Sequence, residues 1–476
     1  MTKSLAFVLA AASFPLVLSA NPRSGQGLRS AAAVATIAYE DAVPIVQALR
    51  DDLLPAELRG RTAVERAAAW PGWVARRDAD IRARVAEGDA DSIIYLLQFG
   101  TSFTAQPRIG DRGELAGVLV RQAGGGDSRF VPSPLLSARI EDFIKAAASP
   151  AANARMQFAR RVLERRGLDP VKEQDRVRQY LLDRVEIIGQ AERAARLLDP
   201  DGDAVDQMTL FRDRGLASDT SILIDFGVEA ALREMAAAGV LRPGRVRRVA
   251  IIGPGLDFTD KQEGYDFYPE QTIQPFAVVD SLMRLGLTST EPQVYAFDLS
   301  ARVLQHLEGA RQQADAGQSY TVVVPRNLDR PWASDLARYW ERFGEHVGER
   351  RKSVDPPPTA GRVAVKAVAI RPAVVRAIVP QDLNVVLQRL EPLSNDDGFD
   401  LILATNVLIY YDVFEQSLAA ANVARMLRSG GVFLTNDAIV ELPGSPLAPI
   451  GRTSVVYLTS AAGGGKGDRL VWYRHR

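Results

Sequence analysis

The residues best equipped for chemistry in this 476-residue chain sit at the ends of short apolar runs in its C-terminal half. Ile251-Ile252-Gly253-Pro254-Gly255 ends in a tight G-P-G turn, where glycine permits backbone angles and a close ligand approach that a side chain would block. Val294-Tyr295-Ala296-Phe297-Asp298 ends in a carboxylate, a group able to accept hydrogen bonds from both hydroxyls of a ribose. Ala377-Ile378-Val379-Pro380-Gln381-Asp382-Leu383-Asn384 delivers a second carboxylate, able to accept from an adenine-type amino group. A fourth run, from Phe399 to Tyr411, would set Asn406 beside the first turn and bring Tyr410 and Tyr411 with it. Each has an ordinary structural counterpart: a plain turn, an acid capping the helix after Ser300, packed aromatics.

The elements that must position these residues are legible beyond Pro243 and Gly244, where short Val/Ile-rich runs alternate with helical segments. That texture predicts parallel strands joined by crossover helices. Strands are expected at 248–252, 293–297, 401–405 and 432–435, and helices at 274–285 and 301–313. A helix over 412–427 has Asp412 as cap, Glu415 three residues later as in a capping box, and Gly430 and Gly431 to end it. Its Phe414, Leu418 and Ala421 would face the sheet. Strands at 454–458 and 469–473 flank a glycine loop and predict a terminal antiparallel hairpin. Residues 319–371, with a strand at 321–324 and a helix around Trp340, read as an insertion between strands two and three. In an open parallel sheet, ligands bind outside the carboxyl ends of the strands, so the four runs should converge.

The N-terminal half has a different texture. Residues 1–20, with Lys3 before an apolar run and small residues after it, predict a secretory signal peptide and export to the periplasm or medium. A cytoplasmic or membrane-anchored protein is the alternative; the apolar run is too short for a span. Residues 21–38 read as a flexible leader and 39–244 as a mainly helical domain, with 245–476 the α/β domain. Trp70 and Trp73, with the stretch from Phe99 to Phe103, read as core aromatics at a helix junction broken by Gly100. The acidic loop Asp199, Asp201, Asp203, Asp206 lacks the glycine position and final glutamate of a calcium loop and reads as a solvated turn.

Composition narrows the chemistry. Lys plus Arg and Asp plus Glu balance at 58 each, so no global field draws nucleic acid or an anionic bilayer, although a local basic patch remains open. With no cysteine, thiolate nucleophiles and cysteine metal sites are excluded, and three scattered histidines give no metal spacing. No metal, no nucleic acid and no transmembrane span in the mature chain are expected.

The run F-D-L-I-L-A-T-N-V-L-I-Y-Y-D, followed by a helix and L-R-S-G-G-V-F-L, resembles the corresponding region of class I S-adenosylmethionine-dependent methyltransferases. It is most similar to the chemotaxis-receptor glutamate methyltransferases. Over about half of the chain, the resemblance implies a Rossmann-like seven-stranded, mostly parallel sheet and an S-adenosylmethionine cofactor. It implies cofactor contacts at Gly253, Pro254, Gly255, Asp298, Asp382, Leu383 and Asn406, with Tyr410 and Tyr411 lining an acceptor pocket. Two positions depart from the family: Ile251 stands where an acid usually binds the methionine amino group, and Asp257 replaces a third glycine. Either Asp257 takes over that amino-group contact or cofactor affinity is lost, and 259–271 either closes over the cofactor or packs as a surface loop.

Two functions follow. One is methyl transfer to an unidentified oxygen or nitrogen acceptor on a small molecule or protein, a protein carboxylate by family analogy. The other is an exported, non-catalytic protein using the fold as a binding or scaffold module. A dinucleotide oxidoreductase is disfavoured, because Asp298 lies about twice as far beyond Gly255 as the ~20 residues of that fingerprint.

Overall fold

The computed structural model describes residues 33–109, 117–120, 129–197, 215–260 and 263–476, apart from 392, 395, 396, 437 and 460–464. The signal-peptide reading of 1–20 and the acidic loop from Asp199 to Asp206 lie outside the described residues.

The strands, in chain order, are β1 (Ala33–Thr36), β2 (Gly117–Val120), β3 (Arg129–Pro132), β4 (Arg248–Ile252), β5 (Gln293–Asp298), β6 (Tyr320–Asn327), β7 (Gly348–Arg351), β8 (Val363–Ile370), β9 (Ile378–Asp382), β10 (Gln388–Glu391), β11 (Phe399–Ala404), β12 (Leu427–Thr435), β13 (Leu447–Thr459) and β14 (Gly465–His475). The helices used below are α1 (Tyr39–Ala48), α2 (Ala63–Phe99), α3 (Pro134–Ala148), α4 (Ala154–Arg165), α5 (Gln174–Leu197), α6 (Ile222–Ala237), α7 (Gln274–Arg284), α8 (Ala301–Asp315), α9 (Ser334–Arg342), α10 (Pro372–Arg376) and α11 (Val413–Met426).

Seven strands form one sheet in the order β13-β14-β12-β11-β4-β5-β9. From β12 to β9 every pairing is parallel, while β14 runs antiparallel to both β12 and β13. The last two strands therefore make the expected hairpin, longer than its sequence signal, with only β14 reversed against the sheet. The sheet is covered on both faces, and its strands alternate between two cores. Val249 and Ile251 of β4, Leu401 and Leu403 of β11, and Val432 and Leu434 of β12 enter one core with α6, α7 and α8. Ala250, Ile252, Ile402, Ala404 and Phe433 enter the other, with α1, the start of α2 and α11. Each fully buried branched side chain contributes about 1.5–3 kcal/mol, which fixes the register of every strand.

Three features depart from the sequence reading. Residues 33–36 of the expected leader form β1, which pairs antiparallel with β10, because the small apolar run has a strand edge to complete. The helical half is not one packing unit. Its α1 and the first part of α2 seal the sheet, with Trp70 and Trp73 meeting Phe414 at ring-centroid distances of 6.4 and 5.5 Å. The rest of α2 builds a separate core with α3, α4 and α5. Gly100 ends α2 as expected. The third departure concerns α11: its Asp412–Glu415 capping box forms, but the helix ends at Met426 and the chain turns extended at Leu427. Gly430 and Gly431 then lie inside β12, where the pairing with β11 shifts register. Between α8 and β9, strands β6, β8 and β7 form a small antiparallel sheet. Among the described residues, no helix is long and apolar enough to cross a membrane.

Candidate functional site

The carboxyl ends of β4, β5, β9 and β11 open into a cavity enclosing about 810 Å3 with its mouth. Its floor is the G-P-G turn. Gly253 and Gly255 line it with φ of +66° and +65°, the left-handed region that glycine enters at little cost. A Cβ on Gly253 would stand 2.8 Å from Val407 Cγ2, and one on Gly255 would stand 2.2 Å from the Ser218 carbonyl oxygen. Pro254 is buried behind the turn and does not line the cavity.

The Gly255 contact identifies a wall that the sequence did not announce. Residues 216–220 lie along the turn: Leu256 N–H donates to Ser218 O at 2.7 Å and Thr220 N–H to Leu256 O at 3.3 Å. Five consecutive residues, Leu216 to Thr220, thus line the cavity, and Asp219 is the second acid in its lining besides Asp298. Ser92 Oγ of α2 donates to the Asp219 carboxylate at 3.2 Å. The only local signal was a run of small polar residues ahead of the Ser221 cap of α6. Nothing in its spacing pointed to the glycine turn.

Asp298 stands where the sequence placed it, at the cavity end of β5. Burial pushes its carboxyl up to about 6, against the pull of the Ser300, Gly255 and Leu299 backbone N–H groups. The Ser300 N–H donates to Oδ1 at 2.8 Å. The alternative reading as a helix cap thus holds in part, since the acid ties the start of α8 while facing the cavity.

Asn406 also lines the cavity, in a left-handed conformation at φ +57° that costs a non-glycine residue on the order of 1 kcal/mol. Asn436, at the end of β12, holds it there. The Asn406 N–H donates to Asn436 Oδ1 at 2.7 Å, and Asn436 Nδ2 donates to Asn406 Oδ1 at 2.5 Å. Leu383, Tyr410 and Tyr411 complete the lining on the β9 and β11 side. Burial raises the Tyr411 phenol well above its usual range, so it stays protonated at neutral pH. Arg84 of α2 donates to the Tyr410 carbonyl at 3.0 Å, and its guanidinium lies 5.9 Å from the Tyr411 ring centroid.

Besides Pro254, three expected contributors do not line the cavity. Asp382 is drawn out of the cavity by Arg82 of α2, whose Nη2 and Nη1 reach its two carboxylate oxygens at 2.8 and 3.1 Å. Asp257 faces away as well: Gln271 Nε2 donates to its Oδ2 at 2.8 Å, and burial pushes it up to about 6. The expected cover is anchored elsewhere. Tyr265 and Tyr268 are buried against Val323, Ala360 and Ala367. Asp266 accepts from Thr101 N, Thr101 Oγ1 and Ser102 N at 2.6, 2.7 and 3.1 Å, because the end of α2 offers it a cluster of donors.

No family model and no curated protein matches the chain. Solved structures with some likeness include the glycopeptide N-methyltransferase MtfA complexed with S-adenosyl-L-methionine, at 13% identity over 52% of this chain and 93% of that one, TM-score 0.22. Magnesium protoporphyrin IX methyltransferase (ChlM) from Synechocystis PCC 6803 is 10% identical over 60% of this chain and 93% of that one, TM-score 0.25. TrmN from Thermus thermophilus is 16% identical over 54% and 53%, TM-score 0.24. At these values the likenesses bear on neither substrate nor activity here.

The lining itself makes a specific combination. A glycine turn that admits close backbone approach, a carboxylate ending the adjacent strand, the Asn406 amide and an aromatic side suit an adenosine-sized ligand with a short charged tail. Among the described residues no histidine lines the cavity, whose groups are suited to bind and orient a ligand.

Proposed function

We propose that the chain is an S-adenosylmethionine-dependent methyltransferase acting on an oxygen or nitrogen acceptor. The observation that carries this reading is the convergence of Gly253, Gly255, Asp298 and Asn406 around one cavity at the carboxyl edge of a mostly parallel sheet. The residues fit the cofactor. Asp298 offers two acceptor oxygens to a ribose, and the glycine turn leaves open the space that a Cβ would fill. Leu383 and Val385 give an adenine an apolar wall. Asp219 supplies, from the segment before α6, the negative charge that Ile251 cannot, and so takes the methionine amino group. Tyr410, Tyr411 and Asn406 face the acceptor side.

The cofactor supplies an electrophilic methyl group on a positively charged sulfur. What the chain contributes is alignment and exclusion of water, which is where such a transfer gains its rate. The Asn406–Asn436 pair fixes the mouth, and buried Tyr411 helps to exclude water.

The test is calorimetric titration of the full chain with S-adenosylmethionine and S-adenosylhomocysteine. Micromolar binding, lost in Asp298→Ala and weakened at least tenfold in Asp219→Asn, is the expected result. The absence of an acid at position 251 favours a second reading, a non-catalytic binding module of the same fold. No heat and no thermal shift at millimolar cofactor would select it.

A further inference from the structure

At the opposite edge of the seven-stranded sheet, the starts of β4, β11 and β12 and the end of β14 open into a second cavity, enclosing about 1260 Å3 with its mouth. Arg242, Arg245, Arg247, Arg428 and Arg474 line it against a single carboxylate, Asp400. That carboxylate is already compensated. The Arg247 and Arg248 N–H groups donate to its Oδ2 at 2.7 and 2.9 Å, and Arg428 Nε pairs with Oδ1. Among the described residues, no carboxylate pairs with the guanidinium of Arg242, Arg245, Arg247 or Arg474.

The backbone holds these four cations together. Arg242 and Arg245 stand on the turn after α6, closed by Gly244 N–H to Gly286 O and Val246 N–H to Leu287 O, each at 2.9 Å. Arg247 leads directly into β4, and Arg474 lies on β14 opposite Val432 of β12. Four like charges gathered in one hollow repel each other, and nothing in the core requires them there, since Arg242, Arg245 and Arg247 are exposed. A bound polyanion removes that repulsion, and the planar guanidinium fork matches phosphate oxygens two at a time.

We propose that this cavity is a binding site for a compact polyanion with clustered phosphate groups, either a free polyphosphate or a phospholipid headgroup. The concave shape favours a compact ligand over an extended polymer. The site lies a full strand length from Asp298, so it serves anchoring or regulation and stands independently of the cofactor reading.

The probe is tripolyphosphate, titrated calorimetrically into the full chain at low and at physiological salt. One saturable site is expected, weakened at least tenfold in the Arg245→Gln/Arg474→Gln double variant and weakening as salt rises. Co-sedimentation with phosphatidic acid vesicles then separates the sources. Vesicle binding that tripolyphosphate displaces assigns a headgroup, and tripolyphosphate binding without vesicle binding assigns a free polyphosphate. Heat unchanged in the double variant, or no binding of either probe at low salt, overturns the proposal. So does duplex DNA that binds tighter than tripolyphosphate with the same sensitivity to the variant. Thermal melting checks that the variant folds; should it not, the exposed Arg242→Gln change carries the same test. The S-adenosylmethionine titration reads the other edge, so either proposal can fail alone.

Discussion

At the carboxyl edge of the sheet, two acids, two glycines and the Asn406 amide meet in a cavity whose walls come from both halves of the chain. At the amino edge, five arginines meet around one carboxylate, drawn from the C-terminal half and the turn that precedes it. The first edge is held by short-range fits: the Ser218 carbonyl against Gly255, the Ser300 N–H on Asp298, Asn436 on Asn406. The second has exposed cations on a rigid backbone. Shape governs the one and charge the other, so the two should answer differently to the same kind of change.

Paired glycine substitutions give the largest expected contrast. Gly255→Ala would drive a Cβ into the Ser218 carbonyl in a left-handed backbone, and should cost about 3 kcal/mol or more in urea unfolding and abolish cofactor binding. Gly430→Ala, at φ +74° beside the arginine cavity, meets nothing within 4 Å and should cost only about 1 kcal/mol. Equal losses would break the comparison.

The acids make the next test. With Asp298 pushed up to about 6, cofactor affinity should fall roughly tenfold per pH unit below that value, as its carboxylate is protonated and loses an acceptor. Asp298→Asn should flatten the profile, whereas Asp257→Asn, outside the cavity, should leave it sloping.

A pH dependence of stability is expected at Asp225 on α6, where burial pushes the carboxyl up to about 8. Between its ordinary 3.8 and about 8 the folded chain holds a proton that the unfolded chain releases. Stability should therefore decline as pH rises through that window, by up to about 1.4 kcal/mol per unit. Thermal melts of Asp225→Asn should lose that part of the decline.

The smallest effect is expected for Arg82→Ala, which frees Asp382. Its partly exposed pair should be worth under about 1 kcal/mol, and cofactor affinity should move less than threefold. A larger loss would return Asp382 to the cavity.

Much of this was written locally in the chain. The bounds of β4, the Asp412–Glu415 capping box and the Gly100 stop follow from neighbours a few residues apart, where periodicity, caps and backbone preference act. The positions of Gly253, Gly255, Asp298 and Asn406 at one edge followed as well, because parallel strands put all their carboxyl ends on the same side. Asp382 could not be placed that way. Its fate depends on Arg82, 300 positions earlier, and a carboxylate goes to the nearest cation.

The sequence by itself determined the sheet strands β4, β5, β9 and β11, their direction and the residues at their ends, since these arise from side-chain alternation and turn chemistry within short segments. Only the tertiary structure decided that 216–220 wall the cavity, that Asp257 and Asp382 turn away, and that arginines from three separate segments share one hollow. Those outcomes rest on contacts between segments far apart in the chain, where burial and charge pairing choose among partners that no local pattern ranks.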